Sequence, residues 1–325
     1  MARSAATAAR YRRRRLAALI LFVAAVVLTA ALARLACGDE PPFTGELSKP
    51  GGGRAWRVAA WNTGDASSIE RAAAAQAVDE VDFVWYLSQT DGTVVAEHED
   101  LDLVRETRGR GIQAFATVVN RAPGGDFDGA IAAGILADDE SRSRHVRRLV
   151  DLVVDKGYDG LDLDWELVRP DDRDRFSEFV EELAAALHDE ERLLSIAVFP
   201  KDSEPGKWDT QKASDYARLG AAVDEFKVMT YSYSGGWSDP GPQTPLAWAR
   251  KVMRFAASQV PPEKVLMGVP FYGFDWHGEQ TAAVFWEDAD ATLRGSGAAV
   301  ARHDASGEAT FTFTDEDEVL HTVWF

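Results

Sequence analysis

The feature that most constrains this chain is the run Gly157-Tyr-Asp-Gly-Leu-Asp-Leu-Asp-Trp-Glu166. It sets four carboxylates, Asp159, Asp162, Asp164 and Glu166, among Gly, Leu and Trp. Successive side chains of a strand alternate between its faces. Read as a strand, the run puts Asp162, Asp164 and Glu166 on one face with Gly160, and Leu161, Leu163 and Trp165 on the other. Acids stacked two residues apart repel one another and are costly to bury. A fold keeps such a row when the acids share protons, bind a cation or perform acid–base chemistry.

A solvated edge strand conflicts with the apolar residues Val153, Val154, Leu161, Leu163 and Trp165. A calcium loop needs oxygen ligands at alternate positions and a Gly at the sixth, but Leu161, Leu163 and Trp165 stand where such a loop is polar. A magnesium cluster stays as the competing cation reading. Acids leading to the C-terminal end of a strand are also where a parallel α/β barrel places its catalytic groups.

The chain around the run has the matching rhythm. Strands are expected at 57–62, 83–87, 112–119, 158–166, 194–199, 226–232 and 265–272. Helical patterns at 67–78, 101–108, 138–156, 172–188, 214–223 and 245–259 lie between them. The strands are apolar on both faces near their centres, as parallel strands covered by helices are. Strand–helix alternation means a parallel sheet, and no Gly-x-Gly-x-x-Gly turn follows the first strand. A barrel is favoured over an open sheet.

Three further regions flank this body. Residues 1–36 hold seven Arg and no acid, with an 18-residue apolar run from Leu16 to Ala33. Charge followed by an apolar run is the order of an export signal or membrane anchor. Cleavage would release the body, retention of the run would tether it, and lipidation at Cys37 would also tether it. Residues 37–54 carry Pro41, Pro42, Pro50 and Gly51-Gly52-Gly53 and read as a linker. Residues 55–276 form the expected barrel and 277–325 an appended α+β region.

The net charge is −18, and the part after residue 36 carries 28 basic and 53 acidic residues. An acidic body argues against nucleic acid or anionic polymers as partners and suits a neutral polysaccharide. Cys37 is the one cysteine, so no intrachain disulfide forms. The six His (98, 145, 188, 277, 303, 321) show no ligand spacing. They read as structural or surface residues, and no metal site is expected.

The pattern Asp159-Gly-Leu-Asp162-Leu-Asp164-Trp-Glu166 resembles the signature of glycoside hydrolase family 18, the chitinase-like enzymes. Lys227-Val-Met-Thr-Tyr231 resembles the family's sixth strand. The run Pro262-Glu-Lys-Val-Leu-Met-Gly-Val-Pro-Phe-Tyr-Gly-Phe-Asp-Trp276 resembles the seventh strand of its bacterial cell-wall and spore-cortex branch. The resemblance covers roughly residues 56–325 and implies an eight-stranded TIM-type (β/α)8 barrel. Seven strands are readable, and His321-Thr-Val-Trp-Phe325 resembles the last strand of a small α+β insertion after the seventh. The eighth strand is missing from this chain, which reads as ending before the barrel closes, as a truncated reading frame or a fragment would.

The resemblance also implies the chemistry: retaining, substrate-assisted cleavage of β-1,4 bonds next to N-acetylglucosamine, with no cofactor. Glu166 would be the proton donor. Asp164 would orient the acetamido group, Asp162 would sit one step deeper, and Tyr231 would donate its hydroxyl to the acetamido oxygen. Crowding among the acids should raise at least one pKa and keep Glu166 protonated near neutrality. Met229, Trp237, Trp61 and Tyr272 are the expected sugar contacts, and Asp159 and Gly160 the structural members of the motif. Ser232 stands where the family has Asp. Chitin, peptidoglycan glycan and N-glycan cores all satisfy this chemistry, the last through an endo-β-N-acetylglucosaminidase. A sugar-binding lectin on the same barrel is the alternative of another class.

Overall fold

The computed structural model describes residues 46–47, 51, 55–62 and 66–325. The apolar run 16–33 and Cys37 therefore lie outside the described residues. Among the described residues no helix is long and apolar enough to cross a membrane.

Seven parallel strands form one curled sheet: β1 (Ala59–Asn62), β2 (Glu80–Ser88), β4 (Gln113–Val119), β5 (Gly160–Asp164), β6 (Leu193–Val198), β7 (Glu225–Val228) and β8 (Val265–Met267). They pair in that order, and β3 (Val94–Ala96) adds an antiparallel hairpin arm to β2. Among the described residues β1 and β8 do not pair with each other. The sheet is thus a partial (β/α)8 barrel, with helices on its outer face. These are α1 (Ala66–Ala74), α2 (Leu101–Gly109), α3 (Gly129–Ile135), α4 (Asp139–Lys156), α5 (Arg173–Asp189), α6 (Asp209–Lys212), α7 (Tyr216–Ala222) and α8 (Leu246–Gln259).

Local chemistry fixes where these elements start and stop. Asp138 caps α4 by accepting the Ser141 backbone N–H at 2.8 Å. Gly157 ends the same helix in the left-handed region at φ 76°, where a side chain would be strained. Leu149, Val153, Phe179, Val180 and Leu183 then bury the inner faces of α4 and α5 against the sheet. Trp165 leaves the acid face as expected and stacks on Phe179, with ring centroids 4.8 Å apart at 10°. Burying side chains of this size is worth about 1.5–3 kcal/mol each.

The expected strands need three corrections. The second begins at Glu80 rather than Phe83, because Glu80 and Asp82 face the barrel interior and are neutralised there. The sixth, expected over 226–232, keeps regular pairing only to Val228, although Met229 N–H still reaches Val198 O at 3.0 Å. The seventh, expected over 265–272, leaves the barrel after Met267, where Pro270 has no N–H to offer a ladder.

Tyr272 instead opens a second, antiparallel sheet. Its strands are β9 (Tyr272–His277), β10 (Gln280–Phe285), β11 (Ala301–Arg302), β12 (Ala309–Thr314) and β13 (Leu320–Trp324), in the order β10-β9-β13-β12-β11. Helix α9 (Trp286–Ser296) follows β10. This sheet and helix occupy the stretch 277–325 expected to be α+β, and take in 272–276 from the stretch expected to be barrel.

Gly160 shows how closely β5 is gripped. A Cβ added there would lie 2.6 Å from Leu193 O and 2.6 Å from the Phe115 ring. Gly160→Ala should therefore destabilise the protein by roughly 1–3 kcal/mol through overpacking. Urea unfolding checks this, and a parent-like midpoint would show that β5 and β6 can separate without cost.

Candidate active site

Strand β5 carries the acid row. Asp162 is fully buried and holds four donors. Trp61 Nε1 donates to Oδ2 at 2.8 Å and the Thr117 hydroxyl to Oδ2 at 3.2 Å. Oδ1 accepts from the Ser195 hydroxyl and, at 3.1 Å, from Lys227 Nζ. Asp162 is thus fixed in place by one ammonium ion and three neutral donors. Trp61, expected as a sugar contact, thus gives its indole N–H to the acid row.

Lys227 is the centre of a larger buried cluster. Its Nζ lies 2.8 Å from Glu80, 2.7 Å from Asp82, 3.1 Å from Asp162 and 4.0 Å from Glu225. Arg57 reaches Glu80 and Glu225, both at 2.7 Å. Two cations thus face four carboxylates, so the excess negative charge favours protonation. Burial pushes Asp82 well above the usual carboxylate range despite Lys227, and the charges of Asp162 and Glu80 push it further. Burial, with Glu80 adding to it, likewise raises Glu225 to about 8.

Asp164 and Glu166 lack the support that Asp162 enjoys. Asp164 Oδ1 is buried without a hydrogen-bond partner. Burial, then the charges of Glu166 and Asp162, raises the Asp164 carboxyl well above its ordinary value, against a smaller pull from Lys227. Glu166 is raised to about 7 by burial. The crowding expected from the sequence therefore falls on Asp164, whereas Glu166 is kept protonated by being taken out of water.

Backbone bonds set the position of Glu166. Asn120 accepts the Glu166 N–H at 2.8 Å and donates its own amide to the Glu166 carbonyl at 2.7 Å. This two-bond clamp from the end of β4 holds Glu166 where regular pairing stops. Leu167, the next residue, turns into the left-handed region at φ 56°. Asp159, on the other face, takes the buried Arg108 Nε at 3.1 Å on both oxygens and the Ala114 N–H at 2.9 Å. It ties α2 and β4 to β5.

Tyr231 stands over the acids from the loop after β7. Burial and then Asp164 raise its phenol further above the ordinary value, with Glu166 contributing. Its ring meets Tyr272 edge-on at 6.1 Å. The Tyr272 hydroxyl is 2.8 Å from the Ser232 hydroxyl, and Ser232 is in the left-handed region at φ 56°. Met229 is buried at the end of the strand. Trp237 is 68% exposed, on a loop bound to the second sheet through Trp276 Nε1, 3.2 Å from the carbonyls of both Gly235 and Ser238. Trp237, Tyr272 and Trp276 each meet the Phe274 ring edge-on, and Tyr272 in turn meets Tyr231.

The structure thus brings Asp162, Asp164, Glu166, Tyr231 and Tyr272 together, with Trp61 beneath and Trp237 outside. Asn120, Thr117, Ser195 and Lys227 were not singled out from the sequence. Lys227 alone gave a signal, a cation set between the apolar Phe226 and Val228.

The curled parallel sheet thus carries an acid row that ends at a clamped glutamate. Residues 124–324 match the family model "Glycosyl hydrolases family 18". The chain belongs to that family. It is similar to the uncharacterized glycosylase YvbX of Bacillus subtilis, 29% identical over 62% of this chain and 59% of that protein. It is also similar to the cortical fragment-lytic enzyme of Bacillus subtilis, 29% identical over 74% of this chain and 57% of that protein. The chain therefore spans a little over half the length of these relatives. Among solved structures, a chitinase from Chromobacterium violaceum superposes with a TM-score of 0.77 at 29% identity, covering 83% of this chain and 86% of that one.

Two predictions follow from the buried charges. Lys227→Met should destabilise the fold by about 3–5 kcal/mol, because it strands buried carboxylates; urea unfolding reads this out. Glu166, raised in the folded state, makes the protein less stable as pH rises from about 4.5, its ordinary value, to about 7. Glu166→Gln should therefore gain stability over the parent at pH 8, by on the order of 1–3 kcal/mol, and lose that advantage at pH 4. Thermal unfolding at the two pH values tests the sign.

Proposed function

We propose that this chain is a retaining glycosidase that cleaves β-1,4 linkages next to N-acetylglucosamine, with the substrate's acetamido group as nucleophile. The observation that carries this reading is the graded acid row. It runs from Asp162, held by four donors, through Asp164, raised and unpartnered at Oδ1, to Glu166, raised to about 7 at the open end of the strand.

Glu166 gives its proton to the leaving oxygen as the glycosidic bond breaks. The acetamido oxygen attacks the anomeric carbon from the other face and forms a cyclic oxazolinium ion, the substrate-assisted exception to the two-carboxyl scheme. Asp164 accepts a hydrogen bond from the acetamido N–H. Its carboxyl, raised and protonated at rest, keeps its proton and holds the acetamido group in place as the oxazolinium ion forms. Tyr231 donates its hydroxyl to the acetamido oxygen. Water, deprotonated by the Glu166 carboxylate, then opens the oxazolinium ion with net retention. Met229 and Tyr272 line the sugar site. The exposed indole of Trp237 offers a face on which a pyranose ring can stack.

Cell-wall glycan or chitin oligosaccharides are the substrates we favour. The cortical fragment-lytic enzyme and the chitinase reported above support that class. We further propose that the body acts outside the cytoplasmic membrane, on the arginine-then-apolar order of residues 1–33. A lectin on the same barrel is favoured by one feature: Ser232 presents a hydroxyl bound to Tyr272 beside the site.

The test is hydrolysis of chitin oligosaccharides and peptidoglycan fragments by the parent and by Glu166→Gln. The parent should turn over with an alkaline limb near pH 7, the value at which Glu166 loses its proton. The variant should lose at least a hundredfold in kcat while still binding oligosaccharide in calorimetry. Binding without turnover in the parent would establish the lectin instead.

A further inference from the structure

A second cluster of titratable groups lies away from the acid row, in the antiparallel sheet. Strands β9 and β13 pair so that His277 stands directly across from His321, and Asp275 across from Val323. Alternation puts Asp275, His277 and His321 on one face of this sheet, opposite the face that carries Tyr272, Phe274 and Trp276. One ligand atom from each of the three lies within 4.8 Å of the others. Asp275 Oδ2 is 2.7 Å from His321 Nδ1 and 3.4 Å from His277 Nδ1.

The surroundings are built to hold His321 in one orientation. Its other nitrogen, Nε2, meets Asp315 Oδ2 at 3.3 Å. Asp315 is itself fixed, since its Oδ1 accepts the backbone N–H groups of Asp317 at 3.0 Å and Val319 at 2.8 Å. Phe313 stacks on the His321 ring at 4.4 Å and 17°. A carboxylate behind a histidine, turning its remaining nitrogen toward a common point, is the outer support that metal-binding histidines use.

A charged His321 bridging Asp275 and Asp315 would explain two of these contacts. It leaves two others unexplained: Asp275 Oδ1 and His277 Nδ1 are both buried and make no hydrogen bond. A cation between them would satisfy both. The side chains retain 25% exposure at His277, 18% at Asp275 and 13% at His321, so an ion has a path in.

We propose that Asp275, His277 and His321 bind a divalent first-row transition-metal ion, zinc foremost, through one carboxylate oxygen and two imidazole nitrogens, with Asp315 supporting His321. Two imidazoles and a carboxylate suit zinc, and water completes a tetrahedral set. The His277 and His321 rings now stack at 4.8 Å and 19°. Ring nitrogens bind in the plane of the ring, so one ring must turn for both to reach a common ion. His277 is the more exposed of the two and has no hydrogen bond to lose at Nδ1. The ion would clip β9 to β13, on the back of the strand that presents Tyr272 to the acid row.

The experiment is titration of the full chain, freed of metal by chelator, with Co2+ and then Zn2+. Visible absorption and thermal unfolding are the readouts. The expected result is a set of strong d–d bands for tetrahedral Co2+ that Zn2+ displaces at one equivalent, with a rise in Tm on Zn2+ addition. His277→Ala, at the most exposed of the three positions, should abolish the bands and the Zn2+-dependent rise while the metal-free Tm stays near the parent's. Asp315→Asn should weaken Zn2+ binding about 10- to 100-fold. Absence of Co2+ bands in the parent, or bands and a Tm rise that persist unchanged in His277→Ala, would overturn the site. Neither readout depends on glycosidase activity.

Discussion

The contact on which the rest of this structure depends is the ammonium of Lys227 among Glu80, Asp82 and Asp162. It reaches from β7 to β2 and β5 across the barrel interior, where a carboxylate alone could not stay charged. Arg57 repeats the link from the start of β1 to Glu80 and Glu225. Together they bind the two ends of a curled sheet whose outermost strands do not pair among the described residues. The interior of such a sheet is ordinarily filled with branched apolar side chains. Here part of it is ionic, so its stability rests on mutual compensation of charge and is lost when one member is removed.

The same contact grades the acid row. Lys227, Ser195, Thr117 and Trp61 all donate to Asp162. Burial, and then the charges of Glu166 and Asp162, raise Asp164, which has no hydrogen-bond donor at Oδ1. Glu166 is raised by a separate cause, its removal from water, and is aimed by the Asn120 clamp on its backbone. Three carboxyls of one strand face thus differ because each has different neighbours, as acid–base division of labour requires.

The second sheet is not a passive appendage. Its strand β9 presents Tyr272 to Tyr231 and Ser232, and Trp276 of the same strand anchors the loop bearing Trp237. One face of β9 therefore completes the surroundings of the acid row, while the opposite face gathers Asp275, His277 and His321. Whatever stiffens the pairing of β9 with β13 acts on the placement of Tyr272 through a single strand.

Much of this was legible in the sequence, for identifiable reasons. The period-two spacing of Asp162, Asp164 and Glu166 assigned the acids to one face, since alternation is a local property of an extended chain. Strand–helix alternation gave the parallel sheet, and the helical pattern over 138–156 ended where α4 does, at Lys156. Other features depended on partners distant in the chain. The start of β2 was hidden because Glu80 and Asp82 look like surface acids until Lys227, about 145 residues later, is placed against them. The departure of β8 at Met267 and the capture of Tyr272 by another sheet are decided by which edge the chain meets. His277 and His321 show no ligand spacing, yet antiparallel pairing puts them opposite one another. The sequence by itself determined which chemical groups exist and which face of each strand they share. Tertiary structure alone decided which acids are raised and which histidines meet, because burial and through-space charge depend on neighbours that only folding brings together.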